Sequence, residues 1–126
     1  MGEEFNPSKP IYLQLAERIN YQIVRKELSA GEKLPSVREM AIRSGVNPNT
    51  VQRTYSELER MGIVETKRGQ GTFVTEIESV LTTLRETLKK DQITHFVSDM
   101  REMGFSDEEM IQGLEEYFQV KGSKKG

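Results

Sequence analysis

Apolar positions along this chain fall into helical stripes separated by short polar breaks, with one β-rich interruption near the middle. Ile11, Leu15, Ile19, Ile23 and Leu28 follow one another at steps of four, four, four and five, with Glu17, Arg18, Arg25 and Lys26 on other faces, which predicts a first helix. Ser29-Ala30-Gly31-Glu32 reads as its exit, Gly31 being suited to the left-handed conformation that follows many helices. Lys33-Leu34 reads as a short strand. Ser36-Val37-Arg38-Glu39 has the form of a capping box, so a second helix starts at Ser36 and stops before Gly45, with Val37, Met40 and Ala41 as its apolar side.

Asn47 is a suitable N-cap and Pro48 suits the first helical position, where a missing N–H costs nothing. A third helix over residues 48–61 follows, its stripe formed by Val51, Tyr55, Leu58 and Met61, and Gly62 ends it. The turn between the second and third helices is Gly45-Val46. Two short helices joined by a tight glycine turn, the second opened by a polar cap, form the helix-turn-helix pattern. Ile63-Val64-Glu65-Thr66 and Thr72-Phe73-Val74-Thr75 are β-rich runs on either side of Lys67-Arg68-Gly69-Gln70-Gly71, which predicts a hairpin with a basic tip. A hairpin added to a helix-turn-helix makes a winged helix.

Thr75-Glu76-Ile77-Glu78 has the form of a second capping box, and Ile77, Val80, Leu81, Leu84 and Leu88 mark a stripe beyond it. Ile93, Phe96, Val97, Met100 and Met103 continue that stripe after a five-residue step, so one long helix is expected with a bend or break near Asp91, ended by Gly104. Ser106-Asp107-Glu108-Glu109 is a third box, opening a last helix whose Met110, Ile111, Leu114, Tyr117 and Phe118 form a broad apolar face. Residues 121–126 read as a disordered tail. The fold class is therefore mainly α with a small β hairpin: a winged helix-turn-helix over residues 1–75, then a short helical dimerisation unit over residues 76–120.

Charge sharpens this division. The whole chain of 126 residues carries a net −2, but residues 33–75 hold seven Lys or Arg against four Asp or Glu, a net +3, while residues 76–126 hold seven against eleven, a net −4. The basic part is the part with the groove-reading pattern, as a phosphate-attracting surface requires. Asn49, Thr50, Gln52 and Arg53 lie off the apolar stripe in the first turns of the third helix, where a recognition helix presents donors and acceptors to base edges. At the hairpin tip Arg68 is the residue to insert, and the glycines let backbone approach a groove wall.

Other chemistries find little to work with. There is no cysteine and a single histidine, so disulfides, thiolate metal sites and cysteine nucleophiles are excluded. His95 has Asp91 and Asp99 at i−4 and i+4, with Glu102 near the same face, but one histidine among surface carboxylates is more often a solvated helix face than a metal site. No nucleophile–base pair or phosphate-binding loop is visible, so no enzyme activity and no cofactor are expected. No apolar run approaches the roughly 18 residues a membrane span needs, and the N-terminus lacks a secretory signal, so a cytoplasmic protein without a membrane partner is expected.

Pro35-Ser36-Val37-Arg38-Glu39-Met40-Ala41, Gly45-Val46-Asn47-Pro48-Asn49-Thr50-Val51, Tyr55-Ser56-Glu57-Leu58, Gly62-Ile63-Val64 and Arg68-Gly69-Gln70-Gly71-Thr72-Phe73-Val74 together resemble the DNA-binding domain of GntR-family bacterial repressors. The resemblance spans about residues 8–75, and the short helical remainder is similar to that of the YtrA subgroup, whose C-terminal part is a small dimerisation unit. It implies a homodimeric transcriptional repressor on a palindromic double-stranded DNA operator. By position, Arg38 meets a phosphate or a guanine edge. Asn47, Asn49, Thr50, Gln52 and Arg53 lie at the major groove, Arg68 and Gly69 lie at the minor groove, and Ser36, Pro48 and Gly71 complete the DNA-facing set. Where some relatives have a guanine-reading arginine this chain has Pro48, which shifts specificity toward Asn49 and Gln52, whose amides suit adenine. Leu81, Leu84, Leu88, Phe96, Met100, Leu114 and Phe118 are the candidate dimerisation residues. A small-molecule effector stays open as a partner, with no sequence feature supporting one. The alternative function is a winged helix serving as a protein or RNA interaction module without an operator.

Overall fold

The computed structural model describes residues 4–122, with the side chains of residues 120–122 outside that description. Its elements are α1 (Ile11–Val24), α2 (Val37–Ser44), α3 (Pro48–Arg60), β1 (Val64–Lys67), β2 (Gly71–Val74), α4 (Glu78–Glu102) and α5 (Asp107–Gly122). Two compact units divide the chain, one ending at Arg85 and the other beginning at Glu86, a division that falls inside α4.

The first unit is a winged helix built around α3. Val51 and Leu58 are wholly buried and Tyr55 nearly so, because α1 and α2 pack on α3 and β1 lies alongside it. Leu15, Ile19 and Ile23 of α1 supply the facing layer, and Ala41 of α2 and Ile63, Val64 and Val74 of the hairpin close the core. Thr54 is also fully buried; its hydroxyl donates to the carbonyls of Thr50 and Tyr12, each at 3.0 Å, which satisfies a polar group on the apolar face and ties α3 to α1. The Tyr55 hydroxyl donates to the Pro35 carbonyl at 2.7 Å, fixing the loop that leads into α2.

Local signals set most boundaries. Ser36 caps α2 with a full capping box: its oxygen accepts from the Glu39 N–H at 3.1 Å, and its own N–H donates to Glu39 at 3.0 Å. Gly45 then leaves the helix with φ +66°, and the Asn47 side chain accepts from the Asn49 N–H at 2.7 Å to open α3. The hairpin pairs Val64 with Val74 through Lys67 with Gly71. Lys33-Leu34 joins it as a single antiparallel bridge between Lys33 and Phe73 rather than as a strand, with the Leu34 N–H donating to the Thr72 carbonyl.

Several expectations need correction. The first helix does not reach Leu28. It ends at Val24, where Lys26 takes the left-handed conformation at φ +71°; the Lys26 N–H returns to Ile23 and the Glu27 N–H to Gln22, a Schellman closure without glycine. The five-residue step to Leu28 already lay off the helical stripe, and Gly31, although at φ +80°, belongs to a later turn whose N–H reaches the Val74 carbonyl. Ile11 and Met61, read as stripe positions, are largely exposed at the two helix ends. The capping box at Thr75 does not form. Thr75 is buried with its N–H on the Ile63 carbonyl, its hydroxyl accepts from Ile77, and α4 opens from the Ile77 carbonyl, which leaves Glu78 too early to complete a box. Nor does α4 break at Asp91, since no glycine or proline interrupts its residues and the shift in apolar phase only moves the stripe to another face.

Leu84 is buried within the first unit, where Leu81 and Arg85 line a small cleft with Ile23 and Val24 and the Arg85 guanidinium donates to the Val24 carbonyl. In the second unit the Ser106–Glu109 box forms in full, at 2.8 and 3.1 Å, and Arg101 pairs with Asp107 at 3.1 Å. Of the other candidate dimerisation residues, Leu88, Phe96 and Met100 are half-buried, and Leu114 and Phe118 are exposed. Met110 alone of the α5 stripe is buried. Helix α5 runs through Lys121 and Gly122, so the tail does not begin at residue 121; its residues 123–126 lie outside the described residues.

Candidate nucleic-acid interface

The cap at Asn47 and the proline at N1 place a polar turn at the start of α3. Val51 turns inward, and Asn49, Gln52 and Arg53 are left exposed with Thr50 half-buried beside them. The Asn47 oxygen is engaged by the Asn49 N–H, so this side chain works first as a cap. Gln52 makes one weak contact, 3.5 Å to the Ser56 hydroxyl, leaving its amide free to hydrogen-bond elsewhere.

Arg38 sits in the first turn of α2 and Arg68 in the hairpin turn. Both are exposed, and neither has an ion-pair or hydrogen-bond partner among the described residues. Unpaired guanidiniums are held in water at no structural gain, so their charge remains available to a phosphate. Ser36 is exposed at the same end of α2 as Arg38; its oxygen is an acceptor in the capping box, and its hydroxyl also serves the Glu39 carboxylate. Glu39 is held below the usual carboxylate range, chiefly by the Ser36 N–H and further by the Ser36 hydroxyl and the nearby charges of Arg43 and Lys33.

The hairpin turn closes with the Gln70 N–H on the Lys67 carbonyl at 2.8 Å, and Gly69 takes φ +74°. Gly71 has both a backbone and a packing reason to lack a side chain: its φ is +126°, and a Cβ there would stand 2.7 Å from Cε of Lys33. Lys33 therefore lies across the hairpin at Gly71, while the Lys67 ammonium sits 4.8 Å from the centre of the Phe73 ring. These two lysines join Arg68 on the wing; the sequence placed Lys67 in the basic tip and did not place Lys33 there. The short-strand reading of Lys33-Leu34 was the signal that would have placed Lys33 beside the wing.

Tyr12 was also missed. The Arg53 guanidinium carbon stands 3.8 Å from the centre of its ring, a contact between residues far apart in sequence that periodicity does not reveal. No direct contact joins Arg38, Arg53 and Arg68 to one another among the described residues, so what they share is exposure on α2, α3 and the wing. His95 is exposed on α4, and among the described residues no group of three or more His, Cys, Asp or Glu is placed to hold a metal. Among them, too, no helix is long and apolar enough to cross a membrane.

Residues 11–74 match the model of "Bacterial regulatory proteins, gntR family". Two relatives from Bacillus subtilis (strain 168) align over nearly the whole chain. One is the uncharacterized HTH-type transcriptional regulator YhcF, 55% identical over 93% of this chain and 97% of its own. The other is the HTH-type transcriptional repressor YtrA, 40% identical over 94% and 92%. A solved GntR family transcriptional regulator from Listeria monocytogenes superposes with a TM-score of 0.84 at 39% identity, covering 89% of this chain and 98% of that one. The DNA-binding domain of AraR in complex with operator ORE1 superposes with a TM-score of 0.52 at 29% identity, over 60% of this chain and 89% of that one.

Proposed function

Because the chain belongs to the gntR family of bacterial regulatory proteins, we propose that it is a homodimeric transcriptional repressor that binds a palindromic operator and acts in the cytoplasm, where bacterial DNA lies. The observation that carries this reading is the set of exposed groups on three elements of one winged helix: the unpaired Arg38 on α2 and Arg68 on the wing, with Asn49 and the weakly engaged Gln52 on α3. In this reading α3 enters the major groove, where Asn49 and Gln52 read base edges and Arg53 meets a phosphate or a base. Ser36 and Arg38 hold the backbone at the start of α2, while Arg68 with Gly69 enters the minor groove and Gly71 keeps the wing thin.

Residues 1–75 form the DNA-binding part in this proposal and residues 76–120 the dimerisation part. Support for dimerisation comes from α5, whose Ile111, Leu114, Tyr117 and Phe118 stand in water. Two heads on one duplex read both halves of a palindrome and add their binding free energies, and polymerase is then blocked at the promoter. The operator complex of the AraR DNA-binding domain supports the docking mode.

A fluorescence-anisotropy titration with duplex DNA at low salt tests the reading. Each of Arg38→Ala and Arg68→Ala is expected to weaken binding about tenfold and to lower the salt dependence by about one ion. Unchanged affinity in both variants rejects it in favour of a protein or RNA interaction module.

A further inference from the structure

We propose that Tyr12 is a positioning residue for DNA binding: its ring is the platform that holds the Arg53 guanidinium ready for a phosphate. This deepens the reading above and rests on Arg53 facing DNA. The two residues come from different helices, α1 and α3, and the guanidinium carbon lies 3.8 Å above the ring centre. An arginine stacked in this way uses only its π face. The N–H donors around its rim stay free, and they are the groups that match a phosphate in fork geometry.

Two further contacts keep that rim free and the platform in place. Glu57 stands one turn along α3 from Arg53, at a spacing that commonly pairs with arginine. It is instead bound by Arg60, through both Nε and Nη2; that bond chiefly lowers the Glu57 carboxyl, the Arg53 charge adds to it from a distance, and Arg53 makes no hydrogen bond or ion pair with a carboxylate among the described residues. The neighbour of Arg53, Thr54, donates its buried hydroxyl to the Tyr12 carbonyl at 3.0 Å, which locks the backbone under the ring to the helix that carries the arginine. Arg38 and Arg68 have no such support, and each must give up its side-chain freedom when it meets DNA. Arg53 is ordered before binding, and preorganisation of this kind raises affinity without adding a contact.

The test is a double-mutant cycle on a mixed-sequence duplex of about three helical turns at low salt, read by anisotropy. Arg53→Ala is expected to weaken binding about tenfold and Tyr12→Leu about threefold, with Tyr12→Phe within about twofold of the parent because the ring remains. In the Arg53→Ala background, Tyr12→Leu should cost nothing further. The Arg53 Nε–H proton resonance, shifted upfield by the ring, should move downfield in Tyr12→Leu and stay in Tyr12→Phe; melting curves check that every variant is folded. Equal losses from Tyr12→Leu with and without Arg53, or a Tyr12→Phe loss as large as that of Tyr12→Leu, overturn the proposal, the second by assigning the effect to the hydroxyl. An Arg53→Ala variant that binds normally while Arg38→Ala and Arg68→Ala do not overturns it and leaves the repressor reading standing. If all three arginine variants bind normally, both fall.

Discussion

Helices α3 and α5 carry the same kind of apolar spacing and meet opposite surroundings. On α3, Val51, Tyr55 and Leu58 are exposed by 0%, 4% and 0%, because α1, α2 and β1 cover them within one chain. On α5, Ile111, Leu114, Tyr117 and Phe118 are exposed by 59%, 41%, 57% and 62%. Periodicity tells which face of a helix gains from leaving water; it does not tell what covers that face. Each large apolar side chain left in water forgoes about 1.5–3 kcal/mol, so four on one helix make a second copy of the chain a sufficient reason for the pattern. The first unit thus covers its own stripe, whereas the second leaves its stripe in water, the face that the proposed dimer would cover.

The largest effect is expected from placing charge on the uncovered face. Leu114→Glu with Phe118→Glu should leave helix content unchanged, since both positions are exposed in the single chain, yet give a monomer by light scattering at micromolar concentration. Operator binding should then fall by about 10²–10⁴-fold, the loss that follows when two tethered heads become two independent ones. A dimer that survives both charges would assign the interface to other residues.

The covered face responds differently. Leu58→Ala opens a cavity beneath a side chain with no exposed surface, and chemical denaturation should show a loss of about 2–5 kcal/mol. Leu114→Ala is the matched control on α5 and should change the stability of the isolated protomer by less than about 0.5 kcal/mol. Similar losses at the two sites would contradict the distinction between a covered and an uncovered stripe.

How much of this was legible in the sequence follows the same division. Every element was readable, as were the caps at Ser36, Asn47 and Ser106, because a cap is decided by residues two or three apart in the chain. The early end of α1 was not readable: Lys26 holds a left-handed position that usually signals itself by a glycine. The Thr75 box failed for a tertiary reason, the bond from its N–H to Ile63. In the candidate interface the exposed side chains on α3 were legible from one helix face. Tyr12 beneath Arg53 and Lys33 across Gly71 were not, since each depends on a contact between residues far apart in sequence.

Tyr55 sharpens what it means for the α3 stripe to be covered. Burial pushes its phenol up from 10.0 to about 12, and its hydroxyl donates to the Pro35 carbonyl. Since the folded value lies above the unfolded one, this contribution to stability is fully present below pH 10 and is lost as pH rises through about 12. Tyr55→Phe leaves the Pro35 carbonyl without its donor and should cost about 1–3 kcal/mol near neutrality. Denaturation curves should show the gap between parent and variant narrowing above pH 10, because phenylalanine has nothing to ionise. A gap that widens there would mean that Tyr55 is not shielded as the packing indicates.

The smallest expected effect comes from a device that both units share. Ser36–Glu39 on α2 and Ser106–Glu109 on α5 are the same capping box, with nearly equal distances of 3.0 and 3.1 Å in one and 2.8 and 3.1 Å in the other. Each serine oxygen satisfies a backbone donor, so Ser36→Ala and Ser106→Ala should each cost about 1 kcal/mol of stability. Aspartate also caps well and should restore that stability at either site. DNA affinity should separate the two positions. A carboxylate at 36 faces phosphate in the proposed docking, so Ser36→Asp should weaken duplex binding at low salt even though the fold is repaired, whereas Ser106→Asp should bind as the parent does. Equal behaviour of the two aspartates in the binding assay would show that the start of α2 lies no closer to DNA than the start of α5. The α2 box would then be a cap alone, and Arg38 two residues on would lose its place on the phosphate backbone.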